Sequence, residues 1–223
     1  MTVEERRQRE KDVRRDSAIN AASRLFYLKG YENVSMDEIA RKAELGKTTL
    51  YKYFEDKETL FFAVVNRGTE IFSAIIAEEE ERMQTTSTKF GLLKTASNRF
   101  FLEYPDYASS YLVFRSGRYG TSNENIKNEA KEINEFMEKV YEKEISEIKT
   151  GIENGIFRPG INPVVVFVLN LLIQDSTMTM SSDLRQILNA HGVSTLEFYM
   201  EADNLIRRMF RITEEGIERP CMI

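Results

Sequence analysis

Apolar residues recur every three or four positions along most of the chain, the spacing that gathers them on one face of an α-helix, and no stretch alternates with a strand's period of two. Ala18, Ala21, Ala22, Leu25 and Phe26 predict a first helix over residues 12–29, with Gly30 as a left-handed residue that ends it. Ser35-Met36-Asp37-Glu38 has the form of a capping box, in which hydroxyl and carboxylate each accept an orphan backbone N–H; a short second helix therefore runs to about Ala43. Glu44-Leu45-Gly46 makes a three-residue turn, and residues 47–54 form a third helix with Leu50 and Phe54 facing inward. A fourth helix begins after Asp56, presents Leu60, Phe61, Val64, Val65, Ile71, Phe72, Ile75 and Ile76 to a core, and ends in the acidic run 78–81.

Beyond it, residues 86–104 and 105–114 read as two helices, the second opened by Pro105 at a first-turn position. Residues 117–122 form a loop. Residues 123–154 form a long amphipathic helix through Ile126, Ala130, Ile133, Met137, Val140, Tyr141, Ile145, Ile148 and Ile152. After a break at 155–162, residues 163–181 are apolar nearly all round and read as a buried core helix; residues 194–212 give a last amphipathic helix. The expected fold is all-α, with an N-terminal three-helix unit over residues 1–56 that carries a charged extension at 1–11, and a helical body over 57–223. With no Pro- or Gly-rich linker between third and fourth helices, the joint should be rigid.

Composition narrows the class. With 42% hydrophobic and 30% charged residues among 223, the chain has enough apolar surface for a core, and the 11 Gly and 4 Pro suit long helices. The longest apolar run, residues 164–173, is too short for a membrane helix, and the charged first residues lack the apolar centre of a signal peptide, so no membrane partner is expected. The one cysteine, Cys221, forms no internal disulfide and fits a reducing compartment, the cytoplasm by default. With one His and one Cys there is neither a usual zinc set nor a nucleophile pair, so no enzyme, metal or cofactor is expected; His191, between Ala190 and Gly192, reads as a surface loop residue. The net charge of −5 is unevenly placed: residues 1–57 hold 13 basic against 11 acidic residues, and the remainder 18 against 25. The cationic end is the helix-turn-helix end, which suggests DNA there.

In a helix-turn-helix, one short helix lies across the phosphate backbone and positions a second whose exposed residues reach base edges. Ile39, Ala40, Ala43, Leu45, Leu50 and Phe54 can lock the pair together, which leaves Lys47, Thr48, Thr49, Tyr51, Lys52 and Tyr53 outward. Their ammonium and hydroxyl groups donate to phosphates and base acceptors, and Thr methyls can touch a thymine methyl. Here the sequence resembles the TetR family of transcriptional regulators. The likeness lies in Ala21-Ala22-x-x-Leu25-Phe26, Gly30-Tyr31, Ile39-Ala40, and Thr49-Leu50-Tyr51-x-Tyr53-Phe54-x-x-Lys57-Glu58-x-Leu60, over about residues 14–62. The resemblance implies that Lys47, Thr48, Thr49, Tyr51, Lys52 and Tyr53 occupy the recognition helix and that Lys57 meets a phosphate; Ser35 and Gly46, at the two helix starts, join the candidate contacts. Two positions depart from the family pattern: Glu44 stands where Gly is usual in the turn, and Gly46 where Ser is usual as N-cap. Gly remains an acceptable N-cap, but the hydroxyl contact is lost, so the operator sequence cannot be transferred from relatives.

Three further features await the structure. Residues 4–15 mix arginines and a lysine with acids and form either an arm that reaches phosphates or a neighbouring groove, or a solvated helical extension. The aromatics from Phe100 to Tyr141 are dense, and the resemblance implies an effector pocket in this region. Phe101, Tyr104, Tyr107, Tyr111, Phe114, Met137 and Tyr141 are its candidate lining, or plain core; Asn170 and Gln174, one turn apart on an apolar helix, each need a partner, in a ligand or across a dimer axis. The last helix carries two apolar stripes, Phe198, Ala202, Leu205, Met209 and Leu196, Tyr199, Ile206, Phe210. One can face its own core while the other, with residues 163–181, joins a second copy in the four-helix homodimer interface that the resemblance implies. The function expected is a regulator that binds a palindromic operator on double-stranded DNA and leaves it when a small, mostly apolar effector binds the body. The alternative is a DNA-binding dimer without such an effector, controlled by a protein partner or acting as an activator.

Overall fold

A computed structural model describes residues 2–83, 91–117, 124–178 and 180–210. Ten α-helices and no β-strand occur among the described residues, as the periodicity predicts. Cys221, residues 86–90 of the expected fifth helix, 118–122 of the expected loop, and the ends of two expected helices at Asn123 and 211–212 lie outside them.

The chain divides into two compact units, residues 1–138 and 139–223. That division by contact lies well beyond residue 56, because helix α4 (Lys57–Met83) packs back onto the N-terminal helices as well as onward. In the first unit, α1 (Val3–Lys29) starts nine residues earlier than its apolar period predicts. Its N-cap Thr2 accepts from the Glu5 N–H while the Glu5 carboxylate accepts from Thr2, so a polar capping box supplies the start that no apolar stripe marks. Gly30 ends α1 with φ 79° and ψ 149°, a positive φ but not the left-handed helical form expected, and donates to the Phe26 carbonyl. A single 3-10 turn at Tyr31–Asn33 leads to α2 (Met36–Lys42) and α3 (Lys47–Tyr51), the latter shorter than expected because residues 52–53 continue only as a turn.

The core of this unit is where α4 meets α1, α5 (Leu92–Glu103) and α6 (Pro105–Arg115). Leu60, Phe61, Val64, Val65, Phe72, Ile75 and Ile76 are buried as expected; Phe62 and Ala63 are buried too, and Ile71 only half so. By length and composition α4 could cross a membrane, but its apolar residues are occupied by these neighbours. Phe26, Tyr31, Phe61 and Phe62 pack edge to face or tilted at centroid distances of 5.0–5.8 Å, which adds oriented ring contacts to the burial. At Gly68, α4 approaches α6 so closely that a Cβ there would stand 3.4 Å from the Cβ and the carbonyl oxygen of Tyr107. At the acidic end of α4, Glu79 is buried and held by Arg82 (2.9 Å) and Arg99 (3.1 Å), and Glu78, itself exposed, also meets Arg99 (2.6 Å). These carboxylates, with Glu103, push the Arg99 pKa up, so the cation they attract is the chain's own.

Helix α7 (Glu124–Glu153) carries the long amphipathic stripe, with Ile126, Ile133, Met137 and Ile148 buried. In the second unit, Phe157 folds back over Gly151, where an added Cβ would lie 2.5 Å from the ring; that glycine is the only residue the turn admits without a shift. Helix α8 (Pro163–Met178) packs on α10 (Thr195–Phe210). It is not the buried core helix its composition predicts. Val166 and Phe167 are buried, but Val164, Val165, Val168, Leu169 and Leu172 are exposed. On α10 the stripe with Ile206 turns inward at that residue, whereas Leu205 and Met209 of the other stripe remain 58% and 61% exposed. Between them lies α9 (Ser182–Ala190), a helix that was not anticipated, with Ser181 as its N-cap instead of the end of α8. His191 caps its C-terminus and is exposed, as a surface residue should be.

Candidate DNA-binding site

The site begins with burial. Ile39, Ala40, Ala43, Leu50 and Phe54 are all buried, so α2 and α3 are packed against each other and against α1 by these side chains; Leu45 is half-buried. With Leu50 anchored, helical geometry turns Thr48, Tyr51 and Lys52 outward, all exposed, and Thr49 and Tyr53 partly so. Tyr51 is 43% exposed, a high value for a ring that large in a well-packed head.

The turn between the helices is strained at one position. Glu44 adopts φ 57°, the left-handed region that disfavours a side chain, and this bend lets Leu45 donate to the Ala40 carbonyl at 2.9 Å. The position where a Gly is usual thus demands the glycine conformation although Glu occupies it. Gly46 is the N-cap of α3 and accepts from the N–H groups of Thr49 and Leu50 with its carbonyl; it supplies no side-chain cap. A Cβ there would meet only Thr49 Oγ1 at 3.7 Å, so the backbone itself does not require glycine. Ser35 caps α2, its hydroxyl accepting from the Glu38 N–H at 3.2 Å. The other half of the expected box is replaced, because the Glu38 carboxylate accepts from Lys29 instead.

Two candidate lysines have intramolecular partners. Lys47 lies 2.8 Å from Asp37 on the first turn of α2, and that hydrogen-bonded ion pair pushes its pKa up. Lys57 donates to the Tyr31 carbonyl at 3.0 Å, reaches that of Glu32 at 3.5 Å, and sits 4.3 Å above the Tyr31 ring. Its ammonium therefore ties the start of α4 to the end of α1. Asp37 was not singled out by the sequence: ten residues separate it from Lys47, a spacing that no helical period connects and only the intervening turn brings together.

The head is joined to α6 by polar contacts. Tyr107 donates to Asn20 at 2.6 Å, Ser23 to Asp106 at 2.7 Å, and Arg67 of α4 pairs with Asp16 at 2.8 Å. Burial pushes the Tyr107 pKa up and keeps the phenol a donor. Among the candidate effector residues of the first unit, Tyr107, Tyr111 and Met137 are buried, Phe101 and Phe114 are half-buried, and Tyr104 is 36% exposed. Phe114 packs on Phe62 (5.8 Å), and Tyr111 on Phe72 (6.1 Å), which itself stacks on Phe100 (5.1 Å). In the second unit, Tyr141 packs on Phe167 at 5.3 Å and Asn170 donates to the carbonyl of Val166 on its own helix. Gln174 is buried, and its amide nitrogen has no hydrogen-bond partner among the described residues. No cluster of three potential metal ligands occurs among the described residues.

Residues 18–64 match the family described as bacterial regulatory proteins, tetR family. The chain is 33% identical over 91 residues to the HTH-type transcriptional activator FasR of Mycolicibacterium smegmatis, a match that spans 41% of this chain and 40% of that protein's length. The ketosteroid transcriptional regulator KstR2 of Mycobacterium tuberculosis superposes with a TM-score of 0.66 at 15% identity, covering 90% of this chain and 96% of that one. AibR, solved in complex with isovaleryl coenzyme A and operator DNA, gives 0.64 at 19% identity, covering 86% and 96%. At such identities the likeness to the solved structures is one of fold.

Proposed function

We propose, from the match of residues 18–64 to the tetR family of bacterial regulatory proteins and from a fold shared with solved regulators, that the chain is a TetR-type transcriptional regulator and a homodimeric, ligand-responsive repressor of a palindromic operator. The observation that carries the reading is the outward set Lys47, Thr48, Tyr51 and Lys52 held on a helix whose Leu50 is fully buried: donors on a rigid scaffold suit base and phosphate contacts. Thr49, Tyr53, Ser35 and Gly46 complete the DNA surface within a head of residues 1–56, and Lys57, at the start of α4, adds to it from the body. The exposed apolar residues of α8 and α10 support a two-fold interface between copies, which would present two heads about one helical turn of DNA apart. The candidates for a small, mostly apolar effector in the body at 57–223 are Phe101, Tyr104, Tyr107, Tyr111, Phe114 and Met137 in the first unit, and, taken separately, Tyr141, Asn170 and Gln174 in the second. The partnerless amide of Gln174 supports that assignment, since a buried amide without a hydrogen bond is costly and a ligand acceptor would relieve it. AibR, bound to a coenzyme A thioester and to operator DNA, is an instance of the same fold holding both.

The mechanism is a population shift. The effector favours a head separation that does not fit the operator, and linkage requires effector and DNA to weaken each other by the same factor. The test is selection from random duplexes at near-physiological salt with the purified protein. Enrichment of a palindrome is expected; retention that is only nonspecific and salt-sensitive would overturn the operator reading. An activator is the second reading, favoured by the sequence match to FasR, and a reporter placed behind the selected operator decides the sign.

A further inference from the structure

The N-terminal half of α1 leaves the head as a bare helix. Every residue from Thr2 to Arg15 is exposed, and at 1.5 Å per residue the segment projects by about 20 Å. Basic residues form a stripe along one of its faces, with Glu4 and Glu10 at the edges of that stripe. Arg7, Lys11 and Arg14 recur at the spacing of four and three that places them on one stripe, and Ala18, Ala22 and Leu25 continue that stripe into the head. The face that is apolar and buried inside the head is basic and exposed beyond it. Glu5 and Asp12 lie on the opposite side. Among the described residues Arg6 pairs with Glu10, whereas Arg7, Lys11 and Arg14 pair with no acid. The stripe is also located relative to the reading head. One turn on, the Arg15 guanidinium lies 5.3 Å from the Phe54 ring that follows α3, and Ser17 donates to the Ala43 carbonyl in the helix-turn-helix turn at 3.1 Å.

We infer that this stripe is a second DNA-contacting surface, in which Arg7, Lys11 and Arg14 run along the phosphate backbone beside the groove that α3 enters. The inference rests on the operator reading above and extends it. A polyanion is the occupant that three unpaired cations on one helix face call for, and continuity with the turn and with α3 makes that polyanion the same duplex. The contacts carry no base information. They add affinity and salt dependence to any site the heads choose.

The experiment replaces Arg7, Lys11 and Arg14 together by Gln, which keeps helix propensity, and compares the variant with Arg6→Gln/Arg9→Gln on another face of the same helix. Affinity for the selected operator is measured between about 50 and 200 mM salt. Each phosphate contact removed lowers the log–log slope by about 0.9, so three per subunit should lower it by at least about 2, with the sequence preference unchanged; the control pair should leave the slope as in the wild type. Circular dichroism and the unfolding midpoint confirm that both variants fold. An unchanged slope in the triple variant, or an equal fall in the control, would overturn the inference. Should the wild type select no palindrome, it is the operator reading that fails, and the same slopes measured on a random duplex still decide the stripe.

Discussion

Helices α4 and α8 are built from the same side chains, runs of Leu, Ile, Val and Phe, and end in opposite circumstances. In α4 the apolar positions are parted by polar ones such as Arg67 and Glu70, and its broad apolar face meets α1, α5 and α6 within one unit. In α8, Val164 to Ile173 contains a single polar residue, so apolar groups point in every direction; α10 covers one side, and Val165, Val168 and Leu172 remain exposed on another. The difference teaches that hydrophobicity alone does not say where burial occurs. A stripe is satisfied by its own chain, whereas an all-round apolar helix asks for a neighbour on each side. Exposed patches of this kind in a folded chain mark contact surfaces.

The contrast can be broken first at its strongest end. Phe61→Ala removes a fully buried ring of α4 and should cost about 3–5 kcal/mol in urea unfolding at any protein concentration. Leu169→Asp with Leu172→Asp places charge on the exposed face of α8. Sedimentation should then show single chains where the wild type shows pairs, and operator affinity should fall by about 100-fold or more as the second head is lost. A wild type that sediments as a single chain at micromolar concentration would remove the basis of this comparison. Within the head the effects are smaller. Ser35→Ala deletes the α2 cap and should lower stability by about 1 kcal/mol. Glu44→Gly should raise it, by up to about 1 kcal/mol, because the left-handed turn is strained for any side chain and the gain is partly offset by a freer unfolded chain.

The same contrast explains what could be read from the sequence. The head was legible because its signals are local: the Ser35 hydroxyl three residues before the Glu38 amide it caps, Leu50 four before Phe54, and Pro105 opening α6. The early start of α1 was not legible in the apolar period because the capping box Thr2–Glu5 precedes a stretch with no apolar stripe. Helix α9 was not expected: Leu184, Ile187 and Leu188 carry a helical spacing, but nine residues give the period too few turns to stand out. The outward set on α3 followed from the apolar positions that lock α2 and α3 together, Leu50 and Phe54 among them. The partners of that set did not, since Asp37 reaches Lys47, and Tyr31 reaches Lys57, only through the fold.

The close crossing at Gly68 has a mechanical consequence. With no side chain on α4 at that point, its backbone rests against Tyr107, and the neighbouring contacts of Arg67 with Asp16 and of Tyr107 with Asn20 hinder sliding along the axis. A tilt of α4 would therefore pivot at Gly68. From there to Lys57 the arm is eleven residues, about 16 Å, and a tilt of about 10° swings the start of α4 by roughly 3 Å. Lys57 is bound to the 3-10 turn after α1 through the Tyr31 carbonyl, so such a swing would reach the reading head as a displacement comparable to the length of a hydrogen bond.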